Sequence, residues 1–218
     1  MYNQSESALI NGFAEECFTI SFKKRLNFKS ADVLISNTRS KYREKLFKSV
    51  LVELDSLSHQ LGKYLPPQIH DAIFSGEYDT EIKTRRKKLT IFFSDIKNFT
   101  STSEGLQPED LTKYLNEYFS EMTEIALNSG ATIDKYIGDA MMVFFGDPNS
   151  QGEREDARAC IEMALRMQDR MKELRDKWSN EGFSNPFQVR MGINTGYCNV
   201  GNFGSDQRLT YTIIGSEV

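Results

Sequence analysis

The sequence has 218 residues, enough for one domain with an appendage rather than two full domains. Apolar residues make up 39% and charged residues 27%, which excludes a chain too poor in large apolar side chains to bury a core. A net charge of −4, from 27 Lys plus Arg against 31 Asp plus Glu, does not point to nucleic acid, and no apolar run approaches a membrane span.

Along the chain, residues 1–30 read as a tail or the end of an upstream domain. Residues 31–76 read as a signalling segment, a long helix to about Leu65 followed by a short one. In the long helix Phe47, Val50, Leu54, Leu57, Leu61 and Tyr64 follow 3-4-3-4-3 spacing. That spacing fits the seam of a short parallel coiled coil or an amphipathic helix lying on its own domain. The charged flank (Lys41, Arg43, Glu44, Lys45, Lys48) leaves the seam narrow, as a two-helix dimer requires. Pro66-Pro67 ends the helix, and "PPQIHDAIFSG" predicts a short helix with Pro at its start and Gly76 past its end.

Residues 77–88 read as a polar, basic linker ending in "KTRRKK", either a solvated hinge or a contact for a sensor or phosphates. From Leu89 a short buried strand runs to Ser94-Asp95. A helix from about Pro108 presents Leu111, Leu115, Tyr118, Met122 and Ile125 on one face. Ala131–Ile137 and Ala140–Phe145 are strands joined by a Gly138-Asp139 hairpin. A second helix, about Asp156 to Glu181, is expected to bury Ile161, Ala164, Leu165, Gln168, Met171 and Trp178. "FQVRMGINTG", "YCNVGNFGS" and "LTYTIIG" read as strands broken by glycines. The order predicts an α+β fold, a ferredoxin-like or palm-type βαββαβ antiparallel sheet with helices.

The chemistry falls to carboxylates. His59 and His70 are the only histidines, and Cys17, Cys160 and Cys198 are far apart and form no zinc pattern, as expected of reduced thiols in a cytoplasmic protein. Asp95 sits where the first strand ends and Asp139 at the hairpin tip. In a βαββαβ sheet those places lie at one edge, so the two carboxylates are expected to meet. Alone, Asp95 is also a helix N-cap candidate and Asp139 a turn former. Two hard anionic oxygens suit two Mg²⁺ or Mn²⁺ ions for in-line phosphoryl transfer.

"FFSDIKNFT", "IDKYIGDAMMVFFGDP", "VRMGINTGYCNVGNFGS" and "YTIIGSEV", in this order, closely resemble the catalytic domain of class III nucleotidyl cyclases. The resemblance covers about Lys88 to Val218, which places the catalytic domain at residues 89–218. "KYLPPQ" also looks like what precedes such domains in bacterial multidomain proteins. It implies conversion of a nucleoside triphosphate to a 3′,5′-cyclic monophosphate and pyrophosphate. Asp95 and Asp139 match the metal-binding aspartates, with the Ile96 carbonyl as a further ligand. Asn98, Phe99 and Thr100 match backbone that holds phosphates, and Arg190 matches an arginine on the phosphate tail. Lys135 and Thr212 match the base-recognising pair and favour ATP, although most of the large branch has Asp where Thr212 stands; Thr is found in a branch that includes bicarbonate-responsive cyclases.

The resemblance further implies a homodimer in which Asp95 and Asp139 come from one subunit and Lys135 and Thr212 from the other. The family's transition-state Asn and Arg, and a later Lys, follow beyond the "GSEV" at which this sequence stops. The chain therefore reads as part of a longer cyclase, impaired alone, with a sensor or membrane domain expected upstream. Competing readings are a guanylate cyclase and a catalytically silent dimerisation module. A diguanylate cyclase would want GG[DE]EF where this chain has "YIGDAMM".

Overall fold

The structure, a computed structural model, describes residues 41–76, 81–205 and 207–218. The expectations for residues 1–30 and for the start of the long helix lie outside them. The chain divides into two units, Met1–Thr80 and Glu81–Val218. Among the described residues no helix is long and apolar enough to cross a membrane.

In the first unit, α1 spans Lys41–Gly62 and α2 spans Pro67–Ser75. Pro67 opens α2, where a missing N–H costs nothing, and Gly76 closes it in the left-handed conformation at φ 76°. Tyr64 corrects the seam: it falls in the turn after Gly62, past the helix end, so five of the six positions lie on α1. Among those five, Phe47, Val50 and Leu54 are half-buried while Leu57 and Leu61 are exposed.

The second unit is one antiparallel sheet with helices. Its elements are β1 (Thr84–Ile96), α3 (Phe99–Glu104), α4 (Pro108–Asn128), β2 (Thr132–Ile137), β3 (Ala140–Phe145), α5 (Glu153–Asn180), β4 (Val189–Ser205) and β5 (Arg208–Ile214). The strand order is β2-β3-β1-β4-β5 and every pairing is antiparallel. The first four strands have the ferredoxin-like arrangement and β5 extends the sheet beyond β4.

Strand alternation sets the layers. On β1, Phe92 and Ile96 join the core formed with α4 and α5, where Tyr118, Met122, Met163, Met167 and Trp178 are fully buried. Ser94 faces the same way, its Oγ 3.1 Å from the Tyr118 hydroxyl. Phe93 and Asp95 therefore face the side away from these helices.

Three further expectations are corrected. The basic run is no linker: β1 begins at Thr84, and Thr84–Lys88 pair antiparallel with residues 197–201 of β4, Thr84 opposite Gly201 and Lys88 opposite Tyr197. A run of cations shows no apolar alternation, yet here each finds a partner on the domain. Arg85 and Lys87 reach Asp147, Lys88 reaches Glu153 at 2.9 Å, and Arg86 lies 5.1 Å over the Tyr197 ring.

The buried face of α5 is Cys160, Met163, Met167, Met171, Leu174 and Trp178, so Ile161 and Leu165 are exposed at 52% and 61%. Methionines filling the stripe shifted the face from the one its aliphatic residues mark. A smaller rotation applies to α4, where Tyr114 and Ala126 are buried and Leu111, Leu115 and Ile125 flank them. Finally, the first two glycine-broken strands are one, the 17-residue β4. Its Gly201 sits at φ +146°, and a Cβ there would stand 2.1 Å from the Lys83 carbonyl oxygen, so glycine lets the β4 backbone pass this close to the chain entering β1.

Candidate active site

Register brings the two aspartates together. β1 and β3 pair from Thr90↔Phe145 to Ser94↔Met141, and two more steps in that register set Ile96 opposite Asp139. Gly138, at φ +63°, turns the hairpin so that Asp139 stands at its tip. The Asp139 carboxylate then accepts the Ile96 N–H at 2.9 Å, beside Asp95.

Asp95 is directly opposite Arg190 on β4, whose Nε and Nη2 donate to its two oxygens at 2.9 and 2.7 Å. The Asp95 bond, with a smaller contribution from Asp139, raises the Arg190 pKa, so both carboxylates act on one guanidinium. Both also act on Tyr118: burial pushes its phenol up to about 12, and the charges of Asp139 and Asp95 push the same way.

Among the described residues no group of three or more His, Cys, Asp or Glu is arranged to hold a metal ion. A cation at this strand end would thus draw on the two aspartates and the Ile96 carbonyl, leaving room for oxygens from a substrate. All of these donors are hard oxygens, which suits Mg²⁺ or Mn²⁺.

Just beyond, the Lys97 N–H donates to the Gln188 carbonyl at 2.7 Å, and Asn98 adopts the left-handed conformation at φ 57°. That reversal starts α3 at Phe99, whose ring packs 6.2 Å from Phe187. Asn98 and Thr100 are exposed next to Asp95, at a helix start whose first amides lack intrahelical acceptors.

A second cluster joins the two edge strands. Lys135 on β2 donates from Nζ to Thr212 Oγ1 on β5 at 2.9 Å, across 77 positions of sequence. Asp134 enters the same cluster, 3.2 Å from the Lys135 ammonium and within 2.7 Å of Thr212 Oγ1. These contacts bring side chains of the first and last strands of the sheet together.

Residues 82–218 match the family described as the adenylate and guanylate cyclase catalytic domain. The chain belongs to this class III cyclase family. An adenylate cyclase of Dictyostelium discoideum, described as terminal-differentiation specific, is 34% identical over 174 residues, which is 78% of this chain and 8% of that protein. The adenylyl cyclase CyaB from P. aeruginosa is 57% identical, with a TM-score of 0.61 over 62% of this chain and 69% of that one. The guanylyl cyclase Cya2 is 39% identical, with a TM-score of 0.59 over 62% and 68%.

In this cyclase domain the basic run of β1 has a buried counterpart that sequence reasoning missed. The Asp147 side chain is fully buried and accepts hydrogen bonds from Arg85 at 2.7 Å, from Lys87 at 2.8 Å and from the Tyr211 hydroxyl. Asp134 was missed as well. Its signal, a carboxylate next to Lys135, is ambiguous in sequence, because neighbouring residues of a regular strand face opposite ways. Of the thiols, Cys160 and Cys198 are free and buried, and burial pushes Cys160 up to about 12. Such a group takes no part in nucleophilic chemistry.

Proposed function

We propose that this cyclase domain converts ATP to 3′,5′-cyclic AMP and pyrophosphate as a homodimer. The observation that carries the choice of ATP is the Lys135–Thr212 pair, held at 2.9 Å. A lysine donates to adenine N1, an acceptor, whereas guanine N1 carries a proton of its own. The greater identity to the adenylyl than to the guanylyl cyclase structure points the same way.

In this reading Asp95 and Asp139, with the Ile96 carbonyl, would hold two Mg²⁺ or Mn²⁺ ions. When bound, such a pair activates the attacking oxygen and neutralises the leaving one. The ribose 3′-hydroxyl gives up its proton to solvent water as its oxygen bonds to the α-phosphorus, and the bond from that phosphorus to the β-phosphate oxygen breaks to release pyrophosphate. Arg190 offers its guanidinium to the phosphates, and the backbone of Asn98, Phe99 and Thr100 offers N–H groups.

Two clusters on one chain suit a shared site. The aspartates of one subunit face Lys135 and Thr212 of its partner, and twofold symmetry makes two equivalent sites. The chain spans only part of the length of the curated relatives it matches. In this reading a sensor acts through α1 and α2, and the catalytic domain works in the cytoplasm where ATP is available.

The test supplies ATP and GTP separately to full-length protein with Mg²⁺ or Mn²⁺ and quantifies cyclic products. Cyclic AMP as the main product supports the reading. A preference for GTP makes the protein a guanylate cyclase, and no product from a folded dimer makes it a silent module.

A further inference from the structure

A threonine hydroxyl alone does not distinguish adenine from guanine at position 6. It donates one proton and accepts through two lone pairs, so it can rotate to meet either an amino group or a carbonyl. Something must hold the hydroxyl one way round.

Asp134 is placed to do so. Its side chain is fully buried. Its oxygens lie 2.9 and 2.7 Å from Thr212 Oγ1, and one of them also accepts the Ile213 N–H at 3.2 Å. A carboxylate only accepts, so the Thr212 proton is the one in that bond. Lys135 Nζ, 2.9 Å from Thr212 Oγ1, faces one lone pair. What the hydroxyl retains is a single lone pair, which accepts from an amino group and repels a carbonyl.

The backbone is shaped for this arrangement. Ile133 pairs with Val143 and Lys135 with Met142, so Asp134 is the extra residue of a β-bulge. Regular alternation would send Asp134 and Lys135 to opposite faces. The bulge re-aims them, and both reach the same hydroxyl.

We infer that Asp134 is a specificity-determining positioning residue, which fixes the Thr212 hydroxyl as an acceptor and so selects a 6-amino over a 6-oxo purine nucleotide. The inference rests on the reading of Lys135 and Thr212 as the base-contacting pair.

The test compares kcat/KM for ATP, ITP and purine riboside triphosphate in full-length protein. Purine riboside triphosphate keeps the N1 acceptor and lacks any group at position 6, so its ratio to ATP isolates the amino contact. Asp134→Asn replaces the carboxylate with an amide that can itself donate to Thr212. This variant should lower the ATP preference over both analogues about tenfold. Asp134→Glu keeps a carboxylate and should retain the preference, whatever its absolute rate.

Thr212→Val should lower the preference too, and adding Asp134→Asn to it should change the ratios no further. Unchanged ratios in Thr212→Val would remove the base-contacting reading itself. Altered ratios in Thr212→Val with unchanged ratios in Asp134→Asn would overturn the role of Asp134 alone. Loss of activity on all three nucleotides in both Asp134 variants would make the residue part of the fold and overturn the inference equally.

Discussion

Arg190 grips both oxygens of Asp95, at 2.9 and 2.7 Å, because strand register sets the two residues directly opposite on β4 and β1. The pair is well exposed, so it adds little to stability. If Asp95 holds a metal ion, as proposed, the arginine and that ion compete for one carboxylate. Arg190→Ala should therefore bind free Mn²⁺ several-fold more tightly without nucleotide, while its KM for ATP rises about tenfold as a phosphate contact is lost. Electron paramagnetic resonance titration and steady-state kinetics would measure these opposite shifts. Parallel shifts would separate the arginine from the metal site.

Removing either aspartate should be far more damaging. Asp95→Ala and Asp139→Ala in the full-length protein should each lower kcat by about 10³, roughly 4 kcal/mol of barrier. Cyclic AMP production across a Mg²⁺ and Mn²⁺ series would report it. Activity within about tenfold of the parent in either variant would take that residue out of the mechanism.

Complementation tests the shared site. Mixing Asp95→Ala with Lys135→Ala protein should restore activity, since heterodimers carry one intact site and one doubly broken one. If subunits exchange and the mixture stays as inactive as its parents, each site belongs to a single chain.

Asp147 is a stability prediction rather than a catalytic one. Its buried carboxylate ties Arg85 and Lys87 on β1 to Tyr211 on β5, the residue before Thr212. Asp147→Ala should cost about 3 kcal/mol, the low end for a broken buried ion pair, because the part-exposed Arg85 and Lys87 can rehydrate. Arg85→Ala should cost less, since Lys87 and Tyr211 still satisfy the carboxylate. Denaturant titration would read both, and a loss under about 1 kcal/mol for Asp147→Ala would mean that the site relaxes around the missing charge.

The helix α1 carries the regulatory prediction. If Phe47, Val50, Leu54, Leu57 and Leu61 pair with a second copy, Leu54→Glu with Leu57→Glu puts carboxylates into that seam. Full-length double mutant should dimerise less tightly and respond differently to its signal, seen by sedimentation and by cyclic AMP yield across protein concentration. Unchanged values in both would mean that α1 packs within its own chain.

By itself, the sequence determined the order of strands and helices, the hairpin at Gly138-Asp139 and the meeting of Asp95 with Asp139. Each follows from local period or turn chemistry, and βαββαβ connectivity then leaves few places for the strand ends to go. Lys135 and Thr212 were legible through resemblance alone, because nothing local links residues on opposite edge strands.

Only the tertiary structure decided the rest. Whether "KTRRKK" was hinge or strand depended on Asp147, a buried anion 60 positions from Lys87, supplying partners that no local pattern predicts. Which side of α5 is buried depended on methionines, which are flexible enough to fill the space the sheet leaves. Asp134 joined Lys135 and Thr212 because one bulge reverses a side chain that strand alternation would send the other way, and that bulge is visible only in how β2 pairs with β3.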